Sequence, residues 1–204
     1  DLALKPKNLT MEEAASVPLV GLTAWQALVE RGQLSRGQKV FIQAGSGGVG
    51  TLAIQLAKHL GATVATTTST SNVELVRGLG ADVIVDYKTE DFEAKLSGYD
   101  LVLHSQDNKA LEKSLRVLRR GGRLVSLSGP PDPAFAKQLG APWFLKIATH
   151  LLSFGVRRKA ASLGTSFSFL FMKASGDQLR QLATLLEGDV IRPVVDRVFP
   201  FEAT

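Results

Sequence analysis

The stretch Ala44-Gly-Ser-Gly-Gly-Val-Gly50 constrains this chain more tightly than any other. It follows an apolar, β-branched run at 38–43 (QKVFIQ). It precedes a segment at 49–60 whose Val49, Leu52, Ala53, Leu56, Ala57 and Leu60 recur at helical spacing. Gly45, Gly47 and Gly50 satisfy G-x-G-x-x-G, with Ser46, Gly48 and Val49 filling the loop. In a strand–turn–helix setting, Gly45 permits a tight turn, Gly47 lets the backbone approach a pyrophosphate, and Gly50 lets the helix pack close to the strand. The unpaired amides and positive dipole end of that helix face the anion. Lys58 and His59 in the last turn, with Gly61 just beyond, mark its end.

The rest of the chain supplies the surroundings such a loop requires. Further strands are expected at 62–67, 82–86, 99–104 and 122–127, separated by helical stretches near 72–79, 91–96 and 108–118. This alternation predicts an α/β fold: a Rossmann-like, doubly wound parallel sheet flanked by helices and joined by right-handed crossovers. The strands are nearly continuous apolar runs, as expected when helices cover both faces. Residues 1–35 read as leading helices, with Thr10 and Glu13 at capping-box spacing. Beyond Gly129-Pro-Pro-Asp-Pro133, a long helical stretch (134–162) is interrupted near Gly140. A sixth strand at 166–172 carries Phe167, Phe169 and Phe171, a last helix covers 175–187, and 193–199 is strand-like.

Where the second strand ends, about 20 residues past the loop, an acidic residue ordinarily binds a ribose 2′-hydroxyl. Here the chain reads Ala65-Thr-Thr-Thr-Ser-Thr-Ser-Asn72, with no carboxylate before Glu74. Hydroxyls and an amide can donate to a 2′-phosphate that a carboxylate would repel, so NADP(H) is the expected cofactor. The same residues could instead cap the next helix, and the first basic residue after the strand is Arg77.

Composition removes several other chemistries. The 204 residues suffice for one well-buried core, and include no cysteine, which excludes disulfides, thiolate metal sites and a Cys nucleophile. No spacing of His59, His104 and His150 suggests a metal, and none is expected. The net charge of +5 is dispersed, with Arg157-Arg158-Lys159 the densest cluster, so no nucleic-acid partner is expected. No apolar run could span a bilayer, and no membrane partner is expected. Residues 1–7 show no secretory signal, and the location expected is cytoplasmic.

Several stretches together resemble the medium-chain dehydrogenase/reductase superfamily, in its zinc-independent branch of quinone oxidoreductases and enone reductases. These are Pro18-Leu-Val-Gly-Leu-Thr-Ala-Trp25, Ala44–Gly50, Leu79-Gly-Ala-Asp82, Asp86-Tyr-Lys-Thr-Glu-Asp-Phe92, Leu118-Arg-Arg-Gly-Gly-Arg-Leu124 and Ile191-Arg-Pro-Val194. The resemblance covers essentially all of 1–204. It implies a nucleotide-binding domain lacking the family's GroES-like substrate domain and final return segment. The implied activity is NADPH-dependent hydride transfer to a quinone or α,β-unsaturated carbonyl, with the catalytic residues unassigned. A non-catalytic nucleotide-binding sensor or scaffold is the alternative.

Carried over by position, Thr23 should lie toward the nicotinamide and Gly47, Gly48 and Val49 at the pyrophosphate. Thr67, Ser69 and Asn72 should line the adenosine phosphate pocket, with Tyr87 beside it. His104, Ser128 and the Phe169–Phe171 strand should approach the ribose and nicotinamide. That strand also resembles an edge through which relatives form homodimers. Two departures stand out: Asn72 occupies a position that is often basic in NADP-using relatives, and His104-Ser-Gln-Asp-Asn108 replaces an acidic residue and a glycine pair.

Overall fold

The computed structural model describes residues 1–200 and Glu202. Its elements run α1 (Met11–Ala15), α2 (Pro18–Trp25), β1 (Lys39–Ile42), α3 (Gly48–His59), β2 (Thr63–Thr68), α4 (Val73–Gly78), β3 (Val83–Asp86), α5 (Phe92–Lys95) and β4 (Tyr99–His104). They continue as α6 (Asn108–Val117), β5 (Leu118–Ser126), α7 (Pro133–Gln138), α8 (Trp143–Ser162), β6 (Ser166–Phe169) and α9 (Gly176–Glu187). All described strand pairs are parallel, in the order β3-β2-β1-β4-β5-β6. This is the expected doubly wound α/β sheet. Its strand order reverses between β1 and β4, which opens a crevice at their carboxyl ends.

The alternating side chains of each strand feed two cores. Val40 and Ile42 of β1 pack with Leu22, Leu28, Leu52 and Leu182 on one face, while Phe41 joins Val102, Leu115 and Leu124 on the other. Both faces of β1 are buried by helices, so the run carries no polar alternation. The capping box is present: the Thr10 hydroxyl accepts from Glu13 N, and the Glu13 carboxylate accepts from Thr10 N. Gly61 follows α3 with φ +80°, as a C′ glycine should. A π-helical turn at Gln26–Arg31 extends α2.

Three expectations need correction. The sixth strand stops at Phe169 rather than 172, because its partner β5 ends at Ser126 and the last ladder bond is Leu170 N to Ser126 O. The fifth begins at Leu118, a register shift between Tyr99 and Leu101 bringing Leu118 opposite Tyr99. Residues 193–199 form no strand. Arg192 is instead held by Gln55 of α3 through both its N–H and its carbonyl, and no described strand pairs with the residues beyond it. The break near Gly140 is real and separates α7 from α8, with φ +63° at that glycine.

Buried Asp132 fixes this second half of the sheet. One carboxylate oxygen caps α7 at Phe135 N (2.9 Å), and the other accepts from Phe169 N of β6 (3.1 Å). Asp132→Ala is therefore expected to lower stability by about 1–2 kcal/mol, the range for a lost helix cap. Denaturant unfolding measures this, and Asp132→Asn should retain part of the loss.

Candidate functional site

The glycine loop sits at the carboxyl end of β1, at the crevice. A Cβ on Gly45 would lie 2.1 Å from Thr66 Oγ1, and one on Gly50 would lie 2.2 Å from Ala44 O. Both glycines are therefore required by close approach. The tight turn itself is made by Ala44, whose φ is +51°, rather than by Gly45 as the motif suggests. Ala44 is held there by its own N–H, which donates to Thr67 Oγ1 (3.1 Å), and by Gly45 N to Thr67 O (2.9 Å). Gly47 begins α3 with extended backbone and no side-chain cap. The amides of Gly48, Val49 and Gly50 thus remain free to donate. With Gln43, Leu103, Ser105, Gln106 and Leu127 this loop lines a cleft of about 210 Å³. A glycine-walled cleft opening on uncapped helix amides fits the pyrophosphate of a dinucleotide.

At the end of β2, the hydroxyls divide between loop and pocket. Thr66 donates to Ile42 O and Thr67 accepts from Ala44 N, so buried Thr67 braces the loop. Thr68 donates to Ser46 Oγ (3.0 Å). Ser69 lies within 3.1 Å of Ser71 Oγ and accepts from Asn72 Nδ2 at 3.2 Å, which gathers the expected Ser69–Asn72 cluster. Tyr87 N donates to Thr68 O, placing the exposed Tyr87 and Lys88 at this end of the sheet. The Asp86 carboxylate faces Thr70. That hydroxyl and Lys88 N hold Asp86 below the ordinary carboxylate range, so it is charged at neutral pH.

His104 does not meet its expected role. It is fully buried, with Nδ1 2.8 Å from Ser126 Oγ and Nε2 3.1 Å from Asp107 O. A carbonyl only accepts, so Nε2 carries the proton and Nδ1 accepts from Ser126, whose oxygen accepts in turn from Gly129 N (2.8 Å). This chain is complete with a neutral imidazole, and no nitrogen is left for a cofactor or a proton transfer. Burial pushes its pKa below the usual 6.5. His104 is a latch joining the ends of β4 and β5.

Thr23 is also buried, and its hydroxyl returns to Leu19 O (2.7 Å). Ser128 is exposed and donates to Gln106 O (2.6 Å), tying the two loops at the cleft rim. Phe169 is half-buried and stacks edge-on to Phe135 at 5.2 Å, while Phe171 is exposed beside the same ring. Both phenylalanines serve an aromatic cluster on α7. Gln43 is the cleft residue that sequence reasoning missed. Its Nε2 donates to Ser114 Oγ (2.9 Å) and its Oε1 accepts from Ser105 N, so it bridges both walls of the cleft. The available signal was an amide closing an otherwise apolar strand just before the glycines.

Gly50→Ala is expected to destabilise the chain by about 1–3 kcal/mol and to weaken dinucleotide binding at least about tenfold. Thermal unfolding and calorimetric titration measure the two effects. His104 is neutral when folded and titrates near 6.5 when unfolded, so its stabilisation is full above that pH and is lost as pH falls through the lower, folded value. Below pH 6.5 the wild type should lose stability more steeply than His104→Asn, by up to about 1.4 kcal/mol per pH unit. Denaturant midpoints collected across pH check this.

The profile of the family described as zinc-binding dehydrogenase matches residues 79–204, more than half of the chain. The chain is 36% identical over 202 residues to a 2-methylene-furan-3-one reductase of Solanum lycopersicum, covering 98% of this chain and 43% of that protein. It is 37% identical over 202 residues to an NADPH-dependent alkenal/one oxidoreductase, chloroplastic, of Arabidopsis thaliana, with the same coverage. The structure of the quinone oxidoreductase from Coxiella burnetii superposes with a TM-score of 0.79 at 31% identity, over 96% of this chain and 55% of that one. This chain thus spans about half the length of the relatives it matches. The described residues do not fit the zinc of the family description: there is no cysteine, and no three His, Asp or Glu side chains among them converge on a metal position. The dinucleotide cradle does fit, and with the matched profile it makes the chain a member of the zinc-binding dehydrogenase family, within the medium-chain dehydrogenase/reductase superfamily.

Proposed function

We propose that this chain is the cofactor-binding half of an NADPH-dependent reductase of quinones or α,β-unsaturated carbonyls. The carrying observation is the glycine-lined cleft at the β1/β4 crevice, with uncapped amides at Gly48–Gly50 and a second strand that ends without a carboxylate. A nicotinamide cofactor, when bound, supplies the hydride. The chain's own groups bind and orient it. The α3 amides and dipole hold the pyrophosphate, while Gln43 and Ser128 fix the cleft walls. Ser69, Asn72 and Tyr87 donate toward the ribose phosphate, with Lys88 next to Tyr87 in the sequence as the candidate cation. The names of the plant relatives, one NADPH-dependent and both reductases or oxidoreductases of unsaturated carbonyls, support the same reading.

The proposal includes a GroES-like substrate domain closing the other side of the cleft, a cytoplasmic location, and homodimers formed beside β6. At that edge Phe169 N is already taken by Asp132, so contact there rests on Phe167 of β6 and the exposed Phe171 beyond the strand.

Titrating NADPH and NADH separately into the intact protein tests the cofactor. NADPH is expected to bind more tightly, and equal or NADH-favoured binding would refute the phosphate pocket. Ser69→Asp should weaken NADPH by about tenfold, roughly 1.4 kcal/mol, with a smaller effect on NADH.

A further inference from the structure

The longest helix of the chain is built inside out. α8 turns Thr149, Ser153 and Ala160 toward the body of the protein, at helical spacing, and all three are buried. The two hydroxyls on that face return to their own helix, Thr149 Oγ1 to Lys146 O and Ser153 Oγ to Thr149 O. The outer side carries Trp143 (73% exposed), Phe144, Ile147, Leu151 (68%), Leu152 and Phe154. A contiguous apolar face of this size marks a surface that meets something else.

Charge says what that something is. From Pro133 to Gly176 the sequence contains no Asp or Glu, yet it contains Lys137, Lys146, Arg157, Arg158, Lys159 and Lys173. Lys159 pairs with Glu112, whereas Lys146 and Arg158 are exposed and make no ion pair among the described residues. Two copies meeting through this face would bring like charges together, which disfavours self-association. Aromatic and aliphatic side chains flanked by unpaired cations, on a helix about 30 Å long, match an anionic lipid interface.

We propose that α8 is a peripheral docking helix for an anionic phospholipid surface. No described helix is long and apolar enough to cross a membrane, and α8 need only lie on one. This revises the expectation of no membrane partner, which considered spanning alone. β5 leaves the sheet at its carboxyl end, and α8 returns the chain to the start of the parallel β6. The Trp143 end of the helix therefore lies at the same end of the sheet as the cleft. Docking would place the cleft beside the phase in which apolar quinones and enones dissolve. The docking itself does not depend on the proposed reaction.

The test mixes the intact protein with vesicles of phosphatidylcholine alone, or of phosphatidylcholine with phosphatidylglycerol, and follows sedimentation. Trp143 emission is taken as the difference between the wild type and Trp143→Phe, which cancels every other tryptophan of the intact protein. Binding to the phosphatidylglycerol vesicles is expected, with a blue shift of Trp143 and weakening as salt is raised. Leu151→Asp/Leu152→Asp should lower vesicle affinity by about tenfold or more, while NADPH binding and circular dichroism stay unchanged. Lys146→Glu/Arg158→Glu should abolish the preference for the anionic lipid. Absence of binding to either vesicle overturns the proposal. So does a Trp143 already shielded from acrylamide without lipid, and sedimentation velocity then tells a second copy from a further part of the same chain as the cover.

Discussion

Everything in this fold that bears on a nucleotide depends on how closely α3 approaches the ends of β1 and β2. At Gly50 the contact is backbone against backbone, and at Gly45 it is backbone against the Thr66 side chain. The Gly50 Cα position leaves no room for a methyl against Ala44 O, and Gly45 leaves none against Thr66 Oγ1. At that separation the helix N-terminus points its amides into the β1/β4 crevice, and the buried faces of Ile54 and Leu56 close the core beneath it. A wider gap would tilt the helix, misdirect the amides and open the core together. Binding geometry and packing are thus one constraint, and the glycines are its visible sign.

The polar groups around the cleft obey a companion rule. Burial beside a phosphate site is tolerable only if each donor and acceptor is occupied, and the described side chains contain no buried polar atom left without a partner. Gln43 reaches Ser114 and the Ser105 amide, His104 joins Ser126 to Asp107, and Thr67 receives Ala44. These bonds lock together the carboxyl ends of β1, β2, β4 and β5, where a ligand needs rigid walls. His104 shows how a residue placed well for chemistry can be committed wholly to structure.

The parts legible in the sequence were those governed by short-range rules. The periodicity of 49–60, the apolar strands and the capping box at Thr10–Glu13 rest on local spacing, and they located the sheet, its order of elements and the loop. Roles set by contacts across the sheet were hidden. Nothing near Ala44 indicates that it, rather than Gly45, takes the positive φ, since that depends on Thr67, 23 residues away. His104 read as a strand-end titratable group because Ser126 and the Asp107 carbonyl become its partners only in three dimensions. The strand-like 193–199 failed for the same reason, as β propensity cannot supply a neighbouring edge.

Ala44 has one further consequence. A non-glycine residue in the left-handed region is strained by about 1–2 kcal/mol, and here that strain is offset by the hydrogen bonds that Ala44 N and Gly45 N donate to Thr67. The loop's shape is thus settled when the chain folds. Bracing of this kind reduces the ordering that a pyrophosphate held at the turn has to impose, a cost that an unbraced phosphate loop would subtract from its affinity.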